Sequence, residues 1–156
     1  MTSKVSSELI LPSRPRILVD HSLGRVSMPA FFRSAGYQTT TIFELFGRTD
    51  VADVEWIGEA GRLDYVVAHK DAKIRYRPAE RQAVLSAKLR MLCLASGNMK
   101  AEEQVECFRA NMAAIERWWS RPGPWILAVR RNGVEELPLV DDSESRESHS
   151  SSGAAC

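Results

Sequence analysis

The sequence predicts a single α/β domain with a central, mostly parallel sheet. Apolar stretches of strand length alternate along the chain with segments that carry helix start signals or helical apolar spacing. Such alternation is typical of parallel strands joined by helical crossovers, and the predicted order is β-α-β-α-β-α-β-α-β. The chain has 156 residues, of which 44% are hydrophobic. That is enough for one domain with a substantial core.

The first elements are a strand, a helix and a second strand. Residues 17–19 form a continuous apolar run, which predicts a buried strand. A helix over residues 24–35 follows, with Ser27 as its cap and Gly36 as its stop signal. The stretch YQTTTIF at 37–43 is rich in β-branched and aromatic residues, and it predicts the second strand.

The middle of the chain continues the alternation. A short helix over 52–60 leads into an apolar strand over 63–68. Pro78 opens the next helix, over 79–87, because proline fits the first turn of a helix. The apolar stretch at 89–95 then predicts the fourth strand.

A long helix and a closing hairpin complete the predicted domain. The helix covers about 99–120 with Asn98 as its cap, and its apolar residues step by three and four, which predicts core packing. Residues 125–130 and 134–137 predict a final strand or hairpin around the Asn-Gly pair at 132–133.

Both ends of the chain are expected to lie outside the domain, which spans 16–140. Residues 1–15 predict a flexible leader without the apolar core of a signal peptide, and residues 141–156 a polar, disordered tail. No apolar stretch approaches the roughly 18 residues of a membrane span. The three cysteines lack metal-binding spacing, so we expect reduced thiols and a cytoplasmic protein.

Acidic residues stand where predicted strands end and where a helix begins. Asp20 follows the first strand, Asp71 follows the third, and Asp53 and Glu55 begin the helix before it. These positions share one edge of a parallel sheet. Neighbouring carboxylates repel unless a cation lies between them, and Mg²⁺ or Mn²⁺ prefers such oxygen ligands. The alternative is that each acid acts only locally: Asp20 as a helix cap, Asp53 as a helix-dipole residue and Asp71 as a turn former.

A basic segment surrounds the last of these acids. If the acids and their cation act on a phosphodiester, the basic side chains would contact the phosphates on either side of it. Tyr76 would stack on a base. The alternative is a solvated basic loop, since the whole chain is near neutral with 21 Lys and Arg against 20 Asp and Glu. The candidate RNA-binding cations are Lys70, Lys73, Arg75, Arg77 and, from the start of the first helix, Arg25.

These motifs together resemble the PIN-like domains of the VapC-type toxin nucleases. The matching segments are DHSLGR at 20–25, DVEW at 53–56 and KDAKIRYRPAE at 70–80. ASGN at 95–98 before the long helix and RPGPW at 121–125 are also similar. The resemblance covers about residues 16–137, and the order and spacing of the motifs carry it.

The resemblance implies a compact α/β/α fold and a metal-dependent endoribonuclease, the toxin of a type II toxin–antitoxin system. Asp20, Asp53 and Asp71 match the catalytic and metal-binding acids for Mg²⁺ or Mn²⁺, with Glu55 as a reserve ligand. RNA as substrate, an antitoxin protein as partner and a homodimer are implied as well. Lys73 stands where these domains commonly offer a fourth acid, and His69 stands where Ser or Thr is frequent.

Two other functions stay open at the level of the sequence. An inactive PIN-like module that binds nucleic acid or a partner protein is consistent with the missing fourth acid. A receiver-like domain would use Asp20 as a phosphoacceptor, but it needs a lysine at a later strand end. Metal-dependent turnover of RNA distinguishes a nuclease from an inactive binding module. Trapping with beryllium fluoride at Asp20 would identify a receiver-like domain.

Overall fold

A six-stranded sheet forms the centre of the computed structural model, which describes residues 14–95 and 97–139. The strand order is β2-β1-β3-β4-β5-β6. The first five strands along the chain run parallel, and the last pairs antiparallel with β5. The predicted mostly parallel sheet is therefore confirmed. The strands are β1 (Arg16–Val19), β2 (Thr39–Thr41), β3 (Tyr65–His69), β4 (Arg90–Leu94), β5 (Trp125–Arg130) and β6 (Gly133–Leu137).

Helices cover both faces of this sheet. The α-helices are α1 (Ser27–Ser34), α2 (Ile42–Phe46), α3 (Asp53–Arg62), α4 (Pro78–Ala87) and α5 (Ala101–Glu116). Short 3₁₀ helices, His21–Leu23 and Ala72–Arg75, follow β1 and β3. None of the helices described here is long and apolar enough to cross a membrane.

Each face of the sheet has its own apolar core. Phe32 of α1 and Phe108 of α5 pack in one core, against alternate residues of the strands. Trp56 of α3 and Val84 of α4 pack in the other, against the intervening strand residues. Strands β1, β3, β4 and β5 are buried on both sides, which is why they read as continuous apolar runs in the sequence.

The second predicted strand is wrong over most of its length. Only Thr39–Thr41 is strand, and helix α2 begins at Ile42. The Thr41 hydroxyl caps this helix by accepting a hydrogen bond from the Glu44 N–H at 3.1 Å. Since capping satisfies a free helical N–H, it outweighs the strand preference of the β-branched run.

Two predicted caps are also wrong. The first bond of α1 runs from the Ala30 N–H to the Val26 carbonyl, so the capping position falls one residue before Ser27. Asn98 lies in a tight turn closed by the bond from the Met99 N–H to the Gly97 carbonyl, and α5 therefore begins only at Ala101.

The other elements agree with the predicted ones, although α3 continues past Gly61 to Arg62 and α5 stops at Glu116. The predicted hairpin is confirmed as β5 and β6. The predicted leader, apart from residues 14 and 15, and the predicted tail fall outside the described residues.

Candidate active site

Asp20 stands at the end of β1 with its carboxylate almost fully buried, at 7% exposure. One carboxylate oxygen accepts a hydrogen bond from the Ser22 hydroxyl at 2.6 Å, and the other lies 3.2 Å from Nδ1 of the exposed His21. The Ser22 hydroxyl in turn accepts the Lys70 N–H at 3.1 Å. Asp20 is thus connected to the segment that follows the neighbouring strand β3.

Asp53 and Asp71 meet at a single guanidinium group. Arg77 Nη2 lies 2.9 Å from Asp71 Oδ2, and Arg77 Nη1 lies 3.4 Å from Asp53 Oδ2. The other oxygen of Asp53 accepts the Trp56 indole N–H at 2.9 Å. The other oxygen of Asp71 accepts the Lys73 backbone N–H at 3.0 Å. Acids that are 18 residues apart in the sequence are therefore brought together.

His69 lies beneath these acids at the end of β3 and is only 1% exposed. Burial lowers its pKa to about 4, against the charges of Asp20, Asp71 and Asp53, which all raise it. Its Nδ1 accepts the Asp71 backbone N–H at 3.2 Å, and its Nε2 has no hydrogen-bond partner among the described residues. The charges of all three predicted acids therefore oppose the effect of burial on this imidazole.

The local roles of the acids and their convergence hold at the same time. Asp20 and Asp71 each cap a 3₁₀ helix by accepting a backbone N–H two residues on, and Asp53 opens α3. The two alternatives drawn from the sequence therefore do not exclude each other. Capping hydrogen bonds hold Asp20 and Asp71, whereas Asp53 caps nothing and is held by the Trp56 indole N–H.

Glu55 and Glu80 differ from what the sequence predicts. Glu55, the reserve ligand, is turned to Arg48, whose Nη2 lies 3.1 Å from its carboxylate. Glu80, in the first turn of α4, lies 3.9 Å from Nη1 of Arg77. Glu80 is the acid that sequence reasoning missed, and its spacing of three residues from Arg77 at a helix start is the signal that points to it.

The oxygen donors at this edge fit a hard divalent cation in chemistry. Carboxylates are the ligands that Mg²⁺ and Mn²⁺ prefer. Within the described residues, no three acidic, histidine or cysteine side chains form a ready metal cage. The position of a shared positive charge is instead taken by Arg77, which acts as a stand-in cation between Asp53 and Asp71.

The predicted RNA-binding cations fall into three groups. Lys70 and Lys73 form no ion pair within the described part of the chain. Arg25 stacks on the Phe43 ring at 4.6 Å, and Arg75 stacks on the exposed Tyr76 ring at 4.4 Å. Arg77 contacts the acids, although its side chain is also 40% exposed.

The fold and the site define a three-layer α/β domain with an acidic cleft at the carboxyl edge of a parallel sheet and basic side chains beside it. The chain belongs to the PIN-like domain family, since the family model described as "PIN like domain" matches residues 15–96.

A curated relative extends the similarity over most of the chain. It is a Mycobacterium tuberculosis (strain H37Rv) protein with the name "Putative ribonuclease VapC45", 37% identical over 128 residues. The matched region covers 80% of this chain and 93% of the relative. No solved structure gives a significant match.

Proposed function

We propose that this protein is a metal-dependent ribonuclease that hydrolyses RNA phosphodiester bonds, as the toxin of a type II toxin–antitoxin system. The observation that carries the proposal is the convergence of Asp53 and Asp71 on the Arg77 guanidinium, with Asp20 linked through the Ser22 hydroxyl to Lys70, next to Asp71. The name of the mycobacterial relative supports the same activity.

Asp20, Asp53 and Asp71 are the residues that would hold Mg²⁺ or Mn²⁺, whereas Glu55 is paired with Arg48. When bound, such a cation supplies Lewis acidity toward a phosphoryl oxygen and lowers the pKa of a water. The chain fixes the three carboxylates through hydrogen bonds from the Ser22 hydroxyl, the Trp56 indole and the Lys73 backbone N–H. One oxygen of each carboxylate is thereby held by a neighbouring donor of the same domain.

The basic side chains would position RNA along the same edge. Lys70 and Lys73 are available to phosphates because no acid pairs with them among the described residues. Arg75 and Tyr76 present a guanidinium and an exposed ring side by side, an arrangement that suits a phosphate and an unpaired base together. Arg25 extends this surface at the β1 side.

An antitoxin protein is the partner that the family resemblance implies, and the cytoplasm is the compartment where it would act. A partner that covers the acidic cleft would block access to RNA. Co-purification of this chain with the product of the adjacent gene tests the partnership.

The central test is cleavage by variants of the acids. Asp20→Asn and Asp71→Asn are each expected to lower metal-dependent RNA cleavage by at least about 100-fold, because each removes a charged ligand while keeping its shape. Cleavage of a mixed RNA substrate with Mn²⁺ measures the effect, and circular dichroism checks the fold.

Glu59→Gln is the matched control. It removes one negative charge from the far end of α3, where Glu59 pairs with Arg62, and it should cleave like the wild type. Wild-type cleavage by Asp20→Asn or Asp71→Asn would exclude the assigned site.

An inactive PIN-like module that binds RNA or a protein is the second candidate. The occupation of the acids by Arg77 favours it, since a chain that binds no metal still needs a positive charge there. RNA binding without any metal-dependent turnover would identify this function.

A further inference from the structure

Arg77 differs from the other basic residues of the site because its side chain contacts acids from three segments. Its guanidinium lies 2.9 Å from Asp71, 3.4 Å from Asp53 and 3.9 Å from Glu80. These acids belong to the turn after β3, to the start of α3 and to the first turn of α4. One side chain thus joins the elements that form the acidic cleft.

The backbone of Arg77 is held on both sides. Its N–H bonds to the Lys73 carbonyl at 3.2 Å, and its own carbonyl accepts the Arg81 N–H at 2.9 Å. Arg77 occupies the capping position of α4, directly before Pro78. The Arg77 side chain is 40% exposed, so it can rotate away from the acids while the first turn of α4 stays folded.

We propose that Arg77 is the internal counter-ion of the acidic cleft and that a divalent cation has to displace it in order to bind. The inference rests on the proposed function, since it takes Asp53 and Asp71 as ligands. Arg77 and the cation require the same oxygens, Oδ2 of Asp53 and Oδ2 of Asp71. The contact of Arg77 with these oxygens therefore weakens cation binding, and a bound cation weakens the Arg77 contact by the same factor.

Displacement also gives Arg77 a second role. A guanidinium released from the carboxylates is a planar, two-pronged donor, the geometry that pairs best with a phosphate. The side chain starts next to the acids, so it is positioned for the phosphate of an RNA bound at the same cleft. Arg77 is accordingly a positioning residue that couples occupation of the acids to capture of the substrate.

The test is the affinity for Mn²⁺ in the absence of RNA, measured by the electron paramagnetic resonance signal of free Mn²⁺. Arg77→Gln is expected to bind Mn²⁺ roughly three- to tenfold more tightly than the wild type, the range that one or two half-exposed ion pairs give. Arg77→Lys keeps the charge and should remain close to the wild type. A variant that merely damages the cleft would bind more weakly, so tighter binding is specific to the removal of a competitor.

Arg62→Gln is the matched control, because it removes the same charge from the other end of α3, roughly 13 Å from Asp53 at 1.5 Å per residue. It should leave Mn²⁺ affinity unchanged. A gain in Arg62→Gln equal to that in Arg77→Gln would mean that net charge alone explains the effect, and it would overturn the inference.

Asp71→Asn distinguishes a wrong role for Arg77 from a wrong metal site. If Asp71→Asn loses Mn²⁺ binding while Arg77→Gln binds as the wild type does or more weakly, the metal site stands and the role of Arg77 as competitor is wrong. If Asp71→Asn binds Mn²⁺ normally, the proposed metal site itself fails, and the inference fails with it.

Discussion

Ser22 shows how a single hydroxyl links the segments that follow two neighbouring strands at the candidate active site. It donates to the Asp20 carboxylate and accepts the backbone N–H of Lys70, so it ties the residue after β1 to the residue after β3. Asp20 is nearly buried, and a buried carboxylate that loses a hydrogen-bond donor destabilises the folded state, because its desolvation is no longer compensated. The position of Asp20 accordingly depends on a neighbour that has no chemical role of its own.

Ser22→Ala is expected to lower the free energy of unfolding by about 1 kcal/mol, the net worth of a typical hydrogen bond. It should slow RNA cleavage by about tenfold, because the carboxylate loses its orientation. Urea denaturation and single-turnover cleavage measure the two effects.

Ser27→Ala is the control for this prediction, since the Ser27 hydroxyl caps nothing and makes no hydrogen bond within the described residues. Equal stability of the Ser22 and Ser27 variants would contradict the structural role given to Ser22.

At the scale of elements, the close packing of α3 on α4 depends on one glycine. A Cβ atom at Gly61 would lie 2.5 Å from the Ala87 Cβ and 2.9 Å from the Ala87 carbonyl oxygen. A Cβ atom at Gly58, in the same helix, would meet nothing within 4 Å. Asp53 and Glu80, in the first turns of α3 and α4, thus lie on two helices that are packed together at their opposite ends.

Two alanine substitutions in α3 should have opposite effects. Gly58→Ala should raise the free energy of unfolding by roughly 0.5–1 kcal/mol, since alanine is the better helix former in open space. Gly61→Ala should lower it by roughly 1–3 kcal/mol, since the added methyl overpacks the helix contact. Thermal or urea denaturation of both variants checks the signs, and a stabilising Gly61→Ala would contradict the packing described here.

Helix α2 shows where element prediction fails. The run from Tyr37 to Phe43 has strand-forming side chains throughout, yet the strand stops after three residues. The Thr41 hydroxyl accepts the Glu44 backbone N–H and donates its own hydrogen to the Glu44 carboxylate, each at 3.1 Å. A Thr-x-x-Glu spacing was visible in the sequence, and it is the signal that should have competed with β propensity.

For the whole molecule, the two cores make the sheet edge a rigid platform on which the acids stand. β1 and β3, which carry Asp20 and Asp71, are central strands packed on both faces. A cation that binds at this edge, as proposed, would add to the stability of the folded state by mass action, since the unfolded chain does not hold the acids together.

Mn²⁺ at about 100 times its dissociation constant should add about 2.7 kcal/mol to the free energy of unfolding. For a domain of this size the melting temperature should rise by roughly 5–10 °C. Differential scanning calorimetry with and without Mn²⁺ measures the shift. The same shift in Asp20→Asn would show that the stabilising ion binds elsewhere.

The alternation of strands and helices, the parallel sheet and the placement of Asp20, Asp53 and Asp71 at strand ends and a helix start follow from the sequence alone. Local apolar periodicity and turn residues carry that information, and the topology of a parallel sheet predicts a shared edge for these acids. The contacts of Arg77 and Glu80 with the acids, and the turn of Glu55 to Arg48, are visible only in the folded structure. Side-chain pairing depends on distances between helices, and no local sequence pattern contains those distances. The sequence therefore does not distinguish a basic residue that is available to RNA from one that is paired with the acids.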